Sequence, residues 1–258
     1  MTPSADLLAE IERYYDEVPR AFATAEDHGP FTLFLRTDPR SWAFYARPRM
    51  GHPGPVTLDD VRRVQDRQRE AGVPEAFEWV EETTPGLVPM LRAAGLEVQE
   101  HPLMVLRSPL TVPPPDGAEV RVLGPEDTEE VLAGTTSAVN AGFGGTDDLG
   151  EPGSVTSLRD RLSRGLVRLV GAFDDAGPVG GGSHGVRGEV TELTGIAVLP
   201  RARGRGVGAA ITSALVDDAV RLGVRTVFLS AGSQQVADVY ARVGFSRIGT
   251  ACVAEPPP

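Results

Sequence analysis

An α/β fold in two domains is what this sequence predicts, and three observations predict it. The first is a strand, a glycine-rich turn and a helix start packed into one stretch, Glu192 to Ala210. Leu193 to Leu199 is apolar and β-compatible, and Pro200 stops it. Val207, Ile211, Leu215, Ala219 and Leu222 then recur at helical spacing, with Gly223 as the stop. The second observation is the alternation of short apolar runs with helix-period runs along the chain. The third is an internal echo: Leu91-Arg92-Ala93-Ala94-Gly95-Leu96 aligns with Tyr240-Ala241-Arg242-Val243-Gly244-Phe245, Gly95 on Gly244 and Leu96 on Phe245.

In chain order, Leu7, Leu8, Ile11 and Tyr14 or Tyr15 predict a first helix. Phe31 to Leu35 and Trp42 to Tyr45 read as strands. A helix follows over Leu58 to Ala71, with Asp59 and Asp60 early and Gly72 after. Ala76 to Val80 is a strand, Gly86 to Ala94 a short helix, and Leu96 to Val98 with Leu103 to Leu106 a closing hairpin. Arg107 to Gly117 contains Pro113-Pro114-Pro115 and reads as a semi-rigid linker, which places a boundary near residue 113. The expected domains are 1–112 and 113–258. In the second, Glu119 to Leu123 is a strand, and Pro125 with Glu126 and Asp127 opens a helix to about Ala141. A loop spans Gly142 to Gly153, and Ser154 to Arg164 is a helix with Ser154 as its cap. Leu166 to Phe173 and Val179 to His184 form a hairpin. After the long helix come strand Thr226 to Ser230, helix Gln234 to Val243, and strands Ser246 to Ile248 and Ala251 to Ala254.

The turn at 203–208 has the chemistry of an anion site. A helix start carries unpaired N–H groups and partial positive charge. Gly204, Gly206 and Gly208 let backbone approach a phosphate, and Arg201, Arg203 and Arg205 add positive charge. A P-loop needs Lys after its glycines, and there is none. Gly204-x-Gly206-x-x-Ala209 fits a dinucleotide turn, but the next strand ends Phe228-Leu229-Ser230, without the acid that would hold a ribose.

Val198-x4-Arg203-x-x-Gly206-x-Gly208 resembles the acyl-CoA-binding motif of the GNAT superfamily of N-acetyltransferases. Tyr240 to Phe245 is similar to that family's later LYxxxGF segment, with Val239 in place of Leu. The resemblance covers about residues 118–254. It implies a mixed sheet and the GNAT fold in the C-terminal half, with acetyl-CoA as co-substrate and an amine-bearing acceptor. By the same resemblance, the backbone of Ile196, Ala197 and Val198 and of Arg203, Gly204, Arg205, Gly206, Val207, Gly208 and Ala209 would hold the donor. Ser233 stands where the family commonly has Asn, and supplies a hydroxyl instead of an amide. Glu192, six residues before Val198, has the spacing of a general-base Glu known in one branch, with Glu189 a rival and a solvated strand carboxylate the plain alternative. Tyr240 stands where the family's general acid does; a phenol with a reference pKa of about 10 is protonated at neutral pH and can donate to a leaving thiolate. Phe143, Asp147, Asp148 and Glu151 fall in the loop that lines the acceptor side, where acids would hold a cationic amine. The expected mechanism is direct transfer in a ternary complex. A non-catalytic acyl-CoA sensor or partner-binding module is the alternative.

The first half resembles a smaller, degenerate or partial GNAT-like domain, an unrelated α+β domain being the alternative. Leu91 replaces the acid in its copy, and Pro53 and Pro55 remove donors from its turn, so no CoA is expected there.

The whole chain has 258 residues, 41% of them hydrophobic, enough for packed cores. A net charge of −11 argues against nonspecific binding to nucleic acid or anionic membranes. The first eighteen residues lack the basic start and apolar core of a signal peptide. One cysteine, Cys252, excludes an internal disulfide and points to a reducing, cytoplasmic setting. Four scattered histidines show no metal-ligand spacing, so no metal is expected. His184 reads as a strand residue. A monomer or homodimer fits equally.

Overall fold

The computed structural model describes residues 5–37, 45–52 and 54–257. Two compact units emerge: Met1–Leu103 with Ile248–Pro258, and Met104–Arg247. The last strand therefore carries the chain from the second unit back into the first.

In the first unit the elements are α1 (Ala5–Arg20), β1 (Ala23–His28), β2 (Phe31–Arg36), β3 (Ala46–Pro48), α2 (Leu58–Glu70), β4 (Phe77–Val80), α3 (Leu87–Ala93) and β5 (Glu97–Leu106). β1 is a strand the sequence hides, because Glu26 and Asp27 depress strand propensity. Its acids find partners instead: Arg67 grips Glu26 at 2.8 and 2.9 Å, and Thr32 donates to Asp27 at 2.8 Å. β1, β2 and β3 are antiparallel neighbours, and β3 meets β4 in parallel at the single pair Ala46↔Phe77. Phe31, Leu33, Val61, Val64, Phe77 and Trp79 are buried together in this core. Trp42 to Phe44, read as strand from sequence, lie outside the described residues.

The second unit holds β6 (Glu119–Leu123), α4 (Glu129–Gly144), α5 (Thr156–Ser163), β7 (Arg168–Asp174), β8 (Gly177–His184), β9 (Val190–Val198), α6 (Val207–Arg221), β10 (Thr226–Ser230) and α7 (Gln234–Ala241). Its strands run in the order β10-β9-β8-β7-β6, antiparallel except for the parallel pair β10/β9. This is the mixed sheet expected from the sequence. One face packs against α6, whose Ile211, Leu215 and Ala219 are buried with Val170, Leu193 and Val227. The other packs against α4 and α5 through Leu123, Leu132, Leu162 and Leu169. Glycines in β8 bring both helices close: a Cβ at Gly181 would strike Thr135 of α4 at 2.9 Å, and one at Gly182 would strike Leu215 of α6 at 2.9 Å.

Several boundaries differ from expectation for local reasons. α4 begins at Glu129 because Asp127 accepts from Gly124 N–H at 2.8 Å, closing a turn over Pro125, and Thr128 then caps the helix. α5 begins at Thr156, with Ser154 Oγ accepting from the Thr156 N–H. The expected hairpin of Leu96–Val98 with Leu103–Leu106 is a single strand. β5 runs unbroken from Glu97 to Leu106, since no residue between Val98 and Leu103 takes the positive φ of a tight turn. Likewise β11 is continuous over Phe245–Glu255. Gly249 is not a turn residue: a Cβ there would lie 2.7 Å from a Glu82 oxygen, and that carboxylate accepts the Thr250 N–H at 2.9 Å. β11 pairs with β4 from Ala251↔Val80 to Ala254↔Phe77. The proline-rich segment is pinned along the second unit by Arg107 N–H to Gly244 O, Leu110 N–H to Val243 O and Val112 N–H to Ser213 Oγ, each at 3.0 Å.

Candidate active site

β9 ends at Val198, and a 3-10 turn over Pro200–Ala202 leads into the glycine loop. Gly204 has φ +72° and Gly206 φ +93°, backbone that only glycine adopts cheaply, and a Cβ at either would enter open space. Gly206 is the N-cap of α6 and offers no side chain, so the first-turn N–H groups of Val207, Gly208 and Ala209 meet no acceptor among the described residues. These donors, at the positive end of a fifteen-residue helix, face the open space beside the two glycines.

The three arginines divide their roles. Arg203 donates from Nε to Val198 O at 3.0 Å and from Nη2 to Gly142 O at 2.6 Å, tying the loop to the ends of β9 and α4. Arg201 pairs with Asp174, and the Arg201 guanidinium outweighs burial to hold that carboxyl below its ordinary range. Arg205 is exposed, and forms no ion pair or hydrogen bond among the described residues.

Next to this loop the strands part. β9 and β10 pair only at Val190↔Thr226, Thr191↔Val227 and Glu192↔Phe228. Beyond Glu192 the β10 side of β9 has no ladder partner from that strand. On the other side β8 continues to Gly180↔Val198, with an irregularity opposite Gly195, whose φ is +62°. The extra residue flips the faces of β9. Before it, Thr191 and Leu193 face α6; after it, Ile196 lies against Gly182 and Val198 against Gly208 on that same face. Ala197 turns to α4, where Gly142 comes close enough that a Cβ would sit 3.1 Å from it. Leu199 N–H reaches Val179 O at 2.8 Å, so the preceding Val198 amide points away from β8, into the gap. Arg203 takes that carbonyl, which leaves the Val198 N–H for a ligand. Glu192 is half-buried at the fork itself, on the face opposite α6 by alternation.

Tyr240 comes from the α6 face. It sits on α7, buried in the same core as Leu193, Leu229 and Ala231, with Phe245 at 6.3 Å between ring centroids. Burial pushes its phenol pKa up to about 12. Its hydroxyl has no hydrogen-bond partner among the described residues. Ser233 is the N-cap of α7 and its Oγ accepts from Val236 N–H at 3.3 Å, which leaves its O–H as a donor.

Two of the three loop acids, Asp147 and Asp148, have local partners. Asp147 accepts the backbone N–H of Arg201 at 3.0 Å, bracing the glycine loop, and Asp148 accepts from Gly150 N–H within its own turn. Phe143 ends α4 and is 67% exposed. Among the described residues no group of three His, Cys, Asp or Glu is placed for a metal ion, and no helix is long and apolar enough to cross a membrane.

A buried network beneath the site was not read from sequence. His184, on β8 and 1% exposed, lies 3.2 Å from Thr191 Oγ1 and 3.1 Å from Asp218 Oδ2 of α6. Arg168 closes on Asp218 bidentately at 2.8 and 3.0 Å. Burial alone would raise the Asp218 pKa, but hydrogen bonds from His184 and Arg168 hold it well below the usual carboxylate range. A depressed carboxylate contributes stability above its unfolded pKa of about 4 and loses it as pH falls. Asp218→Asn is therefore expected to cost about 1–3 kcal/mol at pH 7 and to flatten the acid side of the stability curve. Urea titrations from pH 7 down to pH 3 check this; parallel curves for both proteins would refute it.

Residues 146–245 match the model of the acetyltransferase (GNAT) family. No curated relative matches the sequence. Among solved structures, the chain is similar to a GCN5-related N-acetyltransferase from Kribbella flavida at 22% identity and TM-score 0.72, covering 97% of this chain and 96% of that one. It is also similar to a GCN5-related N-acetyltransferase from Sphaerobacter thermophilus, at 18% identity and TM-score 0.61, over 97% and 86% of the two chains. A tandem GNAT protein from the clavulanic acid biosynthesis pathway aligns at 19% identity and TM-score 0.56, over 88% and 79%. At these identities the structural likenesses establish the fold.

Proposed function

Because residues 146–245 belong to the GNAT acetyltransferase family, we propose that the second unit moves an acetyl group from acetyl-CoA to a primary amine by direct transfer in a ternary complex. The observation that carries this is the uncapped start of α6 opening onto the gap between β9 and β10. The first-turn N–H groups take the diphosphate, and the freed edge of β9 takes the pantetheine amides, Val198 through its N–H. Glu192 at the fork removes a proton from the acceptor ammonium, whose nitrogen has no lone pair until then. The amine attacks the thioester carbonyl, and backbone N–H groups at the parted strands steady the oxyanion. Collapse expels the thiolate, which Tyr240 protonates from the opposite face; the nitrogen gives up its second proton as the amide forms, and that proton returns through water to the Tyr240 phenolate.

The first unit repeats the order and pairing of the second from β7 onward: β1/β2 and β2/β3 are antiparallel like β7/β8 and β8/β9, β3/β4 is parallel like β9/β10, and α2 and α3 follow β3 and β4 as α6 and α7 follow β9 and β10. We take it as a degenerate copy without CoA. At the start of α2, the counterpart of α6, Thr57 and Asp60 form a capping box with the Thr57 N–H donating to Asp60 at 3.0 Å. A carboxylate thus occupies the place where a phosphate would bind.

Thermal shift with acetyl-CoA, CoA, NADH and ATP tests the donor. A ligand at about 100 times its Kd adds roughly 2.7 kcal/mol. A shift with NADH and none with CoA would overturn the proposal. Thiol release against small amines, peptides and protein N-termini then tests turnover; CoA binding with no thiol release would favour a sensor.

A further inference from the structure

The first unit contains a cavity of about 710 Å³ between α1, the loop after β3, and the β4–α3 loop with α3. By the repeat, this is the counterpart of the donor groove in the second unit. Its volume is that of a small-molecule site. Leu8 and Leu87 are buried in its floor, and Met50, Val56 and Met90 line its sides, with Met50 44% exposed. Methionines shape themselves to varied apolar ligands.

Its charges have unequal partners. Glu12 is answered by Arg47 at 3.2 Å and by Thr83 Oγ1 at 2.6 Å. Arg49 is answered by Asp27 at 3.4 Å. Glu82 accepts only a backbone N–H, from Thr250, and forms no ion pair among the described residues. Glu82 is thus the lining carboxylate without an ion pair among the described residues, at the edge of an otherwise largely apolar wall, while the nearest helix start that would attract phosphate, that of α2, is already capped by Asp60.

We propose that this cavity binds a small apolar molecule bearing a cationic nitrogen and no phosphate. The cation meets Glu82, and the apolar body lies along Met50, Met90 and Leu87. This holds independently of catalysis in the second unit.

The test uses the full chain and ligand-observed NMR with 2-phenylethylamine as probe, against 2-phenylethanol and 3-phenylpropionate of matched size. The amine is expected to bind at least about fivefold tighter than either control, as a charge-assisted contact would give. Saturating CoA should leave that binding intact. Met50→Trp, at an exposed rim position, should abolish it by filling the cavity. Glu82→Gln keeps the acceptor for Thr250 and should erase the preference for amine over alcohol. Equal binding of all three probes, binding of none, displacement by CoA, or an unchanged signal in Met50→Trp would each overturn the assignment. Loss of CoA binding by the wild-type chain would instead overturn the proposal for the second unit and leave this one standing.

Discussion

Gly206→Asp should abolish CoA binding while leaving the chain folded. At φ +93° a side chain is strained by about 1–2 kcal/mol. However, Asp is a good N-cap, and its carboxylate would turn to the bare N–H groups of Val207 to Ala209. The two effects offset, and the net stability change should stay within about 1 kcal/mol. Binding has no such offset. The new carboxylate fills the cradle and repels the diphosphate, so Kd should rise at least about 100-fold, or ~2.7 kcal/mol. In effect the substitution converts the start of α6 into the self-capped start that Thr57 and Asp60 already give α2. Gly206→Ala separates charge from strain: it carries the same backbone cost with no carboxylate, and should weaken binding by less than about fivefold. Calorimetric titration with CoA, alongside urea unfolding, reads both quantities. Equal losses in the two variants would mean that strain, not a phosphate cradle, governs this loop.

Much of this was legible because the relevant signals are local. Apolar residues at Val207, Ile211, Leu215 and Ala219 share one face only as a helix, and glycines at 204 and 206 permit the positive φ that this turn takes. Glu192 and Tyr240 are singled out by resemblance to the family's motifs, on which their roles still rest. What the spacing leaves unsaid is that the β9–β10 ladder stops at Glu192↔Phe228, a property of two strands 36 residues apart in chain position. The hidden features are all of that long-range kind. His184 and Asp218 are 34 residues apart, and Arg203 reaches Gly142 over 61. Asp147 reads as a loop acid free to meet a substrate until the fold brings the Arg201 N–H to it. β1 is polar because its partners are side chains of other elements. β11 runs on through Gly249, where the Glu82 carboxylate lies too close for a Cβ, a contact no local pattern records.

Tyr240→Phe is expected to lower kcat about 10²–10³-fold with the KM for acetyl-CoA changed less than about twofold, the mark of a proton supplied only as the thiolate leaves. The fold should tolerate the change, since the ring keeps its packing beside Phe245 and the hydroxyl leaves no described partner behind. Three further readouts tie the loss to proton donation. First, burial raises the phenol pKa to about 12, so the wild-type alkaline limb of kcat should show no fall from this group below pH ~11. Second, a donor with a more acidic leaving thiol, such as a thiophenyl acetate, needs the proton less, so the variant's loss should shrink with it. Third, Glu192→Gln should lose rate equally with both donors, because the amine's proton does not depend on the leaving group. A Phe variant with the same deficit on both donors would place the hydroxyl in binding or packing, whereas one with full kcat would remove Tyr240 from the chemistry and leave the thiolate to be protonated by water.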